Sequence, residues 1–159
     1  MEQSLSANAR RVQEALTSAG LSCRVQELPA STRTAAEAAA AVGCAVAQIA
    51  KSLVFRGTMT ATPYLVIASG AYRVNELRLG EWVSEKVEKP DADFVRSVTG
   101  FPIGGVPPVG HDQPLRTFLD QAFLGFDEIW AAAGTPNAVF RIAPSDLIRV
   151  TGGEVVSLT

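Results

Sequence analysis

Apolar residues recur along the chain with two periods. Over residues 5–19, Leu5, Ala9, Val12, Leu16 and Ala19 share one helical face, while Arg10, Arg11, Gln13 and Glu14 lie mostly on the other. Gly20 then supplies a left-handed stop. Residues 21–28 read as a short strand closed by Pro29. Thr34 and Glu37 have capping-box spacing and open an alanine-rich helix that Gly43 interrupts. Residues 52–55 (SLVF) and 64–69 (YLVIAS) read as two buried strands, joined by a polar loop. Asn75 and Asp91 are N-caps for helices through about Val83 and Val98. Residues 115–119, 129–133 and 138–143 have strand character, the last two joined by a turn at 134–137. Pro144 and Ser145 open a short helix ending near Gly152, and residues 154–158 form a last strand. The pattern predicts an α+β fold, with helices flanking a mixed, mostly antiparallel sheet.

Composition narrows the class. A chain of 159 residues fits one domain, taken here as 1–159. Fourteen basic residues against sixteen acidic ones give a net charge of −2, which argues against a polybasic nucleic-acid binder. Two cysteines cannot build a disulfide scaffold, and one histidine leaves no zinc spacing. The polar N-terminus lacks the apolar segment of a signal peptide. The longest apolar stretch, residues 38–47, is about half of the ~20 residues a membrane span needs. A cytoplasmic protein with neither membrane nor DNA as partner is the expectation.

One segment fits neither helix nor strand. Residues 99–111, TGFPIGGVPPVGH, hold four glycines and three prolines in thirteen positions. Proline fixes φ and removes a donor, while glycine lets backbone come close to a ligand. Such a loop can present main-chain groups to a developing oxyanion, or it can simply connect a helix to a strand. It is not a Walker A loop, because Val106 and Pro107 stand where Lys and Ser/Thr belong. Lys51, placed immediately before the SLVF strand, is either a solvated strand-end charge or a cation held for a phosphate or an oxyanion. His111 follows the loop and is either a general base or a locally bonded histidine. Cys44 reads as filler, and Asp91, Asp93, Asp120 and Asp127 as caps and turn residues.

Three segments in order, IAKSLVF at 49–55, TGFPIGGVPPVG at 99–110 and AAAGTPNAVFRIAPSDL at 131–147, resemble the YbaK/ProX family of aminoacyl-tRNA deacylases. That family is related to the editing domain of bacterial prolyl-tRNA synthetases. The resemblance implies the α+β editing-domain fold. It implies hydrolysis in trans of the ester joining a wrong, small amino acid (Ala, Cys, Ser or Thr) to the tRNA acceptor end, without a metal or other cofactor. It assigns catalysis to Lys51 and Gly105. Substrate contacts fall to Gly104, Val106, Pro107, Pro108 and Gly134, and His111 is counted with them as a candidate substrate-binding residue. Some members carry Ser and Asp where this chain has Ala132 and Val139. An aminoacyl-tRNA synthetase is an expected further partner. The low net charge predicts weak tRNA binding with a shallow salt dependence. A binding module that does not cleave its ligand and a small-molecule esterase are the alternatives.

Overall fold

The computed structural model describes residues 4–159. Among them, eight strands form one sheet: β1 (Gln26–Glu27), β2 (Ile49–Gly57), β3 (Pro63–Ser69), β4 (Val87–Glu88), β5 (Arg116–Asp120), β6 (Ile129–Ala132), β7 (Ala138–Ile142) and β8 (Glu154–Val156). Their order is β1-β7-β6-β2-β3-β5-β8, and β4 also pairs with β2. The β1·β7, β6·β7, β2·β3 and β2·β4 pairs are antiparallel. The β2·β6, β3·β5 and β5·β8 pairs are parallel. The sheet is therefore mixed and mostly antiparallel, as the apolar pattern predicts.

Among the described residues, five α-helices accompany it: α1 (Ala7–Ser18), α2 (Ala35–Val42), α3 (Glu76–Val83), α4 (Ala92–Thr99) and α5 (Pro144–Thr151). Each of the three expected caps forms. The Thr34 hydroxyl accepts from the Glu37 amide at 3.1 Å, while the Glu37 carboxylate accepts from the Thr34 amide at 3.2 Å. The Asn75 and Asp91 side chains accept from the Arg78 and Phe94 amides. Gly43, at φ +75°, ends α2 and splits the apolar stretch around it. Both faces of β3 are buried, so it reads as a continuous apolar run. Leu65 and Ile67 join Val12 and Leu16 of α1, Val95 of α4 and Leu147 of α5. Tyr64, Val66 and Ala68 join Leu79 and Val83 of α3 on the other side.

Three expectations change. The strand over 21–28 shrinks to Gln26–Glu27, because the Gln13 side chain takes the local backbone groups instead. Its amide nitrogen donates to the Cys23 carbonyl at 2.9 Å and its oxygen accepts from the Val25 amide at 2.8 Å. The first SLVF strand begins three residues earlier, so Lys51 is inside β2 rather than before it. Strand β4 has no sequence signal, since two residues show no periodicity.

The glycine-proline loop is pinned at its base. The Asp112 amide donates to the Thr99 carbonyl at 3.1 Å, closing the loop. Phe101 is fully buried under it, with the Arg11 guanidinium 4.5 Å from its ring centre. His111 Nε2 lies 2.7 Å from the Pro107 carbonyl, and a carbonyl can only accept, so Nε2 carries the proton. At the far side of the sheet, Asp120 is buried and accepts from the Ser69 and Ala122 amides, tying the end of β3 to that of β5.

Asp120→Ala removes both bonds and should lower the unfolding free energy by about 1–3 kcal/mol; an unchanged urea midpoint would contradict this role. Burial pushes the His111 imidazole below its ordinary pKa of 6.5, against the raising effect of the Pro107 bond. The unfolded chain then takes up this proton first. The neutral ring's contribution is complete above about pH 6.5 and fades as the pH falls through 6.5 toward the depressed folded value. Urea midpoints of the wild type and His111→Gln should therefore converge on acidification, and a constant difference across that range would refute the burial argument.

Candidate active site

Strand β2 has a partner along only part of one edge. Strand β6 covers Ile49 and Ala50, and β4 covers Arg56 and Gly57. Between them, and on the edge away from β3, residues 51–55 have no strand beside them among the described residues. The Ile49 carbonyl accepts from Gly70 and the Gly57 amide donates to Thr62, so odd-numbered residues direct their backbone groups toward β3. The alternation of an antiparallel ladder then turns the N–H and C=O of Ser52 and Val54 to the open edge.

A two-lobed groove runs along that edge. The first lobe, about 200 Å³, lies between Ala50–Leu53, the start of α2, β6 and the loop at Ile103, Gly104 and Val106. Ala35, Ala38, Val42, Ile49, Ala132 and Val139 supply apolar walls. Two threonines line it, but both hydroxyls are engaged: Thr32 donates to the Pro136 carbonyl and Thr34 caps α2. The second lobe, about 270 Å³, continues past Val54 and Phe55 to Lys89, Pro90 and Val95. Ser52, Leu53, Ile103, Gly104 and Val106 line both lobes. Among the described residues, no Asp, Glu, His or Cys lines either lobe.

Two glycines hold the loop against the opposite wall. A Cβ on Gly105 would meet the Thr135 amide at 2.9 Å and the Gly134 carbonyl carbon at 3.0 Å. Gly134, at φ +95°, is pressed in turn against the Asn8 backbone, and the Asn8 amide donates to its carbonyl. The turn it belongs to is sewn to the segment before α2: the Leu28 and Thr32 amides donate to the Asn137 and Pro136 carbonyls. Within the loop, the Gly105 amide is spent on the Pro102 carbonyl at 3.0 Å. The Gly104 and Val106 amides have no acceptor among the described residues, and both residues line the groove.

The residues singled out in the sequence thus separate into two sets. Lys51, Gly104 and Val106 line the groove, with Gly105 directly behind it. Pro107 and Pro108 are buried, while His111 and Gly134 brace the loop and the turn rather than line either lobe. Lys51 Nζ donates to the Tyr72 carbonyl at 3.2 Å. Burial, followed by the charges of Lys89 and Arg73, pushes its pKa below the ordinary 10.5. Sequence reading missed Arg33, whose side chain passes over Gly104, and Lys89 at the far lobe. Neither carries a local signal, since each becomes a groove residue only through the fold. Ser52 was also missed: its Oγ is sealed from solvent and has no hydrogen-bond partner among the described residues.

Comparisons with known proteins agree on the family. Residues 29–150 match the model of the aminoacyl-tRNA editing domain. A crystal structure of a protein proposed as a trans-editing enzyme for prolyl-tRNA synthetase superimposes with a TM-score of 0.93 at 50% identity, over 98% of this chain and 99% of that one. The uncharacterized protein YwhH of Bacillus subtilis (strain 168) is 29% identical over 131 residues, 82% of this chain and 83% of that protein. EbsC of Enterococcus faecalis (strain ATCC 700802 / V583), proposed as a Cys-tRNA(Pro)/Cys-tRNA(Cys) deacylase, is 24% identical over 127 residues, 79% of this chain and 77% of its own length. No helix among the described residues is long and apolar enough to cross a membrane. With the match spanning most of its length and the sheet and loop in place, the chain belongs to the aminoacyl-tRNA editing-domain family.

Proposed function

We propose that the groove hydrolyses the ester of a mischarged tRNA, and that its first lobe holds the amino-acid side chain. The observation that carries this reading is the pair of unspent amides, Gly104 and Val106, where the two lobes meet. An ester carbonyl placed there finds main-chain donors for the oxyanion that forms as water adds to its carbon. The bond from that carbon to the ribose oxygen then breaks. The amino acid leaves with the water's hydroxyl, and the ribose oxygen takes the proton. An aminoacyl ester is reactive enough that no side-chain nucleophile is needed, and the groove offers none. Lys51 fixes the position of the tRNA end through charge.

The walls bear on which amino acid is removed. A synthetase pocket separates side chains differing by one methylene by only ~1–3 kcal/mol, which is why a second site is useful. Here the Ala132 and Val139 side chains are apolar and both threonine hydroxyls already donate within the protein, so a substrate hydroxyl finds no free side-chain donor on these walls. An unpaired buried hydroxyl costs about 1–3 kcal/mol. Among Ala, Cys, Ser and Thr, the lobe therefore favours Ala and Cys. The relatives' described roles make tRNA(Pro) and tRNA(Cys) the first acceptors to test.

A panel of mischarged tRNAs beside free aminoacyl esters tests the reading. Turnover of tRNA esters alone is expected, with Cys or Ala removed about tenfold or more faster than Ser. Turnover of free esters would make the protein a general esterase. Tight binding without turnover would make it a binding module, the alternative favoured by the lack of an acid or base in the groove. Lys51→Ala and Gly105→Ala should each lower kcat/KM by about 10²-fold, the second by shifting the loop away from the turn at 134–135. Full activity in a folded Lys51→Ala variant would remove that lysine from the mechanism.

A further inference from the structure

His111 lines neither lobe of the groove, yet its hydrogen bond ends one residue away from a groove amide. Its Nε2 proton is committed to the Pro107 carbonyl at 2.7 Å, so that nitrogen is not free to act as a base. No backbone amide among the described residues donates to this carbonyl, and the imidazole takes that place. Pro107 is buried, so a carbonyl there needs a protein donor rather than water.

Pro107 follows Val106, whose amide is one of the two without an acceptor. Few torsions separate that carbonyl from that amide. The Pro107 ring fixes its own φ. Val106 and Pro107 each precede a proline, which confines both to extended backbone. The segment is a short rod, and the direction of the Pro107 carbonyl is transmitted to the Val106 N–H. On the other side of this amide, Gly105 is wedged against the turn at 134–135, and its own N–H is spent on Pro102. The Val106 amide is gripped from both sides, by main chain before it and by the histidine bond after it.

The ring is itself held. It meets the fully buried Phe101 in a T-shaped contact, with 6.4 Å between ring centres and 84° between planes. Arg11 of α1 lies over the same phenylalanine and pairs with Asp112, the residue after His111, at 2.5 Å. The Asp112 amide closes the loop on Thr99. Arg11 and Asp112 are the charged groups that face the imidazole, and they act on its proton in opposite directions.

We propose that His111 is a positioning residue, which aims the Val106 amide into the groove by holding the Pro107 carbonyl. Its contribution is a donor at a fixed place, not volume alone. The catalytic consequence rests on the deacylase reading, but the coupling of ring to amide is measurable without substrate.

The test uses the full chain, labelled with nitrogen-15, and the best mischarged tRNA from the panel. His111→Phe keeps an aromatic ring against Phe101 and removes the donor, while His111→Gln restores an N–H at about the same reach. The first should lower kcat about tenfold or more and leave KM within about twofold. The second should recover kcat to within about threefold of the wild type. In the wild type, the Val106 amide resonance should shift on acidification with the midpoint of the imidazole, below the ordinary 6.5. Both variants should abolish that titration. Equal kcat in folded Phe and Gln variants would overturn the assignment, because the ring would then act through packing or not at all. A loss carried wholly by KM would overturn it too, since His111 would then serve substrate binding. Where His111→Phe does not fold, the wild-type titration decides, and a Val106 resonance indifferent to the imidazole overturns the coupling. If no mischarged tRNA is cleaved but the Val106 amide follows the ring, the hydrolytic reading fails and the positioning role stands.

Discussion

Two stretches of main chain touch without side chains between them, and the site depends on that contact. Gly105 of the loop meets the Gly134–Thr135 turn at a distance that excludes even a methyl group. Gly134 needs its positive φ to make the turn, and it also lies against the Asn8 backbone. The loop, the β6–β7 turn and the start of α1 are thereby held as one layer. Close packing transmits any added volume, so a methyl at Gly105 would move the neighbouring Gly104 and Val106 amides. The glycines set the position of the groove wall without lining it themselves.

The groove itself arises from the strand order. Strand β2 begins beside β6 and ends beside β4, and neither covers its middle. An exposed strand edge is ordinarily a liability, because it offers a template for pairing with another chain. Here α2, the loop and the segment around Lys89 flank the open stretch and leave the two-lobed cleft along it. Lys51 sits on the same stretch, tethered to the Tyr72 carbonyl, so its ammonium is positioned by the β3–α3 connection as well as by its own strand. That connection is fixed in turn by Ser69, whose hydroxyl donates to the Ala47 carbonyl and whose amide is held by Asp120.

Much of this was legible in the chain because local chemistry decides it. The Thr34–Glu37 box, the Asn75 and Asp91 caps and the glycine stops name their own helix ends, and the structure places each as read. The loop at 99–111 announced itself by composition. What stayed hidden depends on long-range contacts. The Gln13 side chain, twelve positions away from Val25, decides that residues 21–25 are not a strand. No periodicity reveals that Arg33 passes over Gly104 or that Lys89 closes a lobe with Val54. The motif naming Gly104 to Pro108 likewise could not separate the amide spent inside the loop from the two beside it that are free.

That separation has an energetic meaning. A main-chain donor kept from both water and protein costs about 1–3 kcal/mol, so a fold retains one only where solvent or a ligand can reach it. In this groove the amides of Gly104 and Val106 and the edge groups of Ser52 and Val54 all remain without partners among the described residues, within a single cleft. Groups of this kind are left for solvent or a ligand to satisfy. The protein has already met the cost of orienting these groups, through proline-fixed dihedrals, a buried phenylalanine and glycine contacts that prevent relaxation. Donors held in this way would need no further reorganisation to meet a developing negative charge, which is what the proposed hydrolysis asks of a groove without an acid, a base or a nucleophile among its described residues.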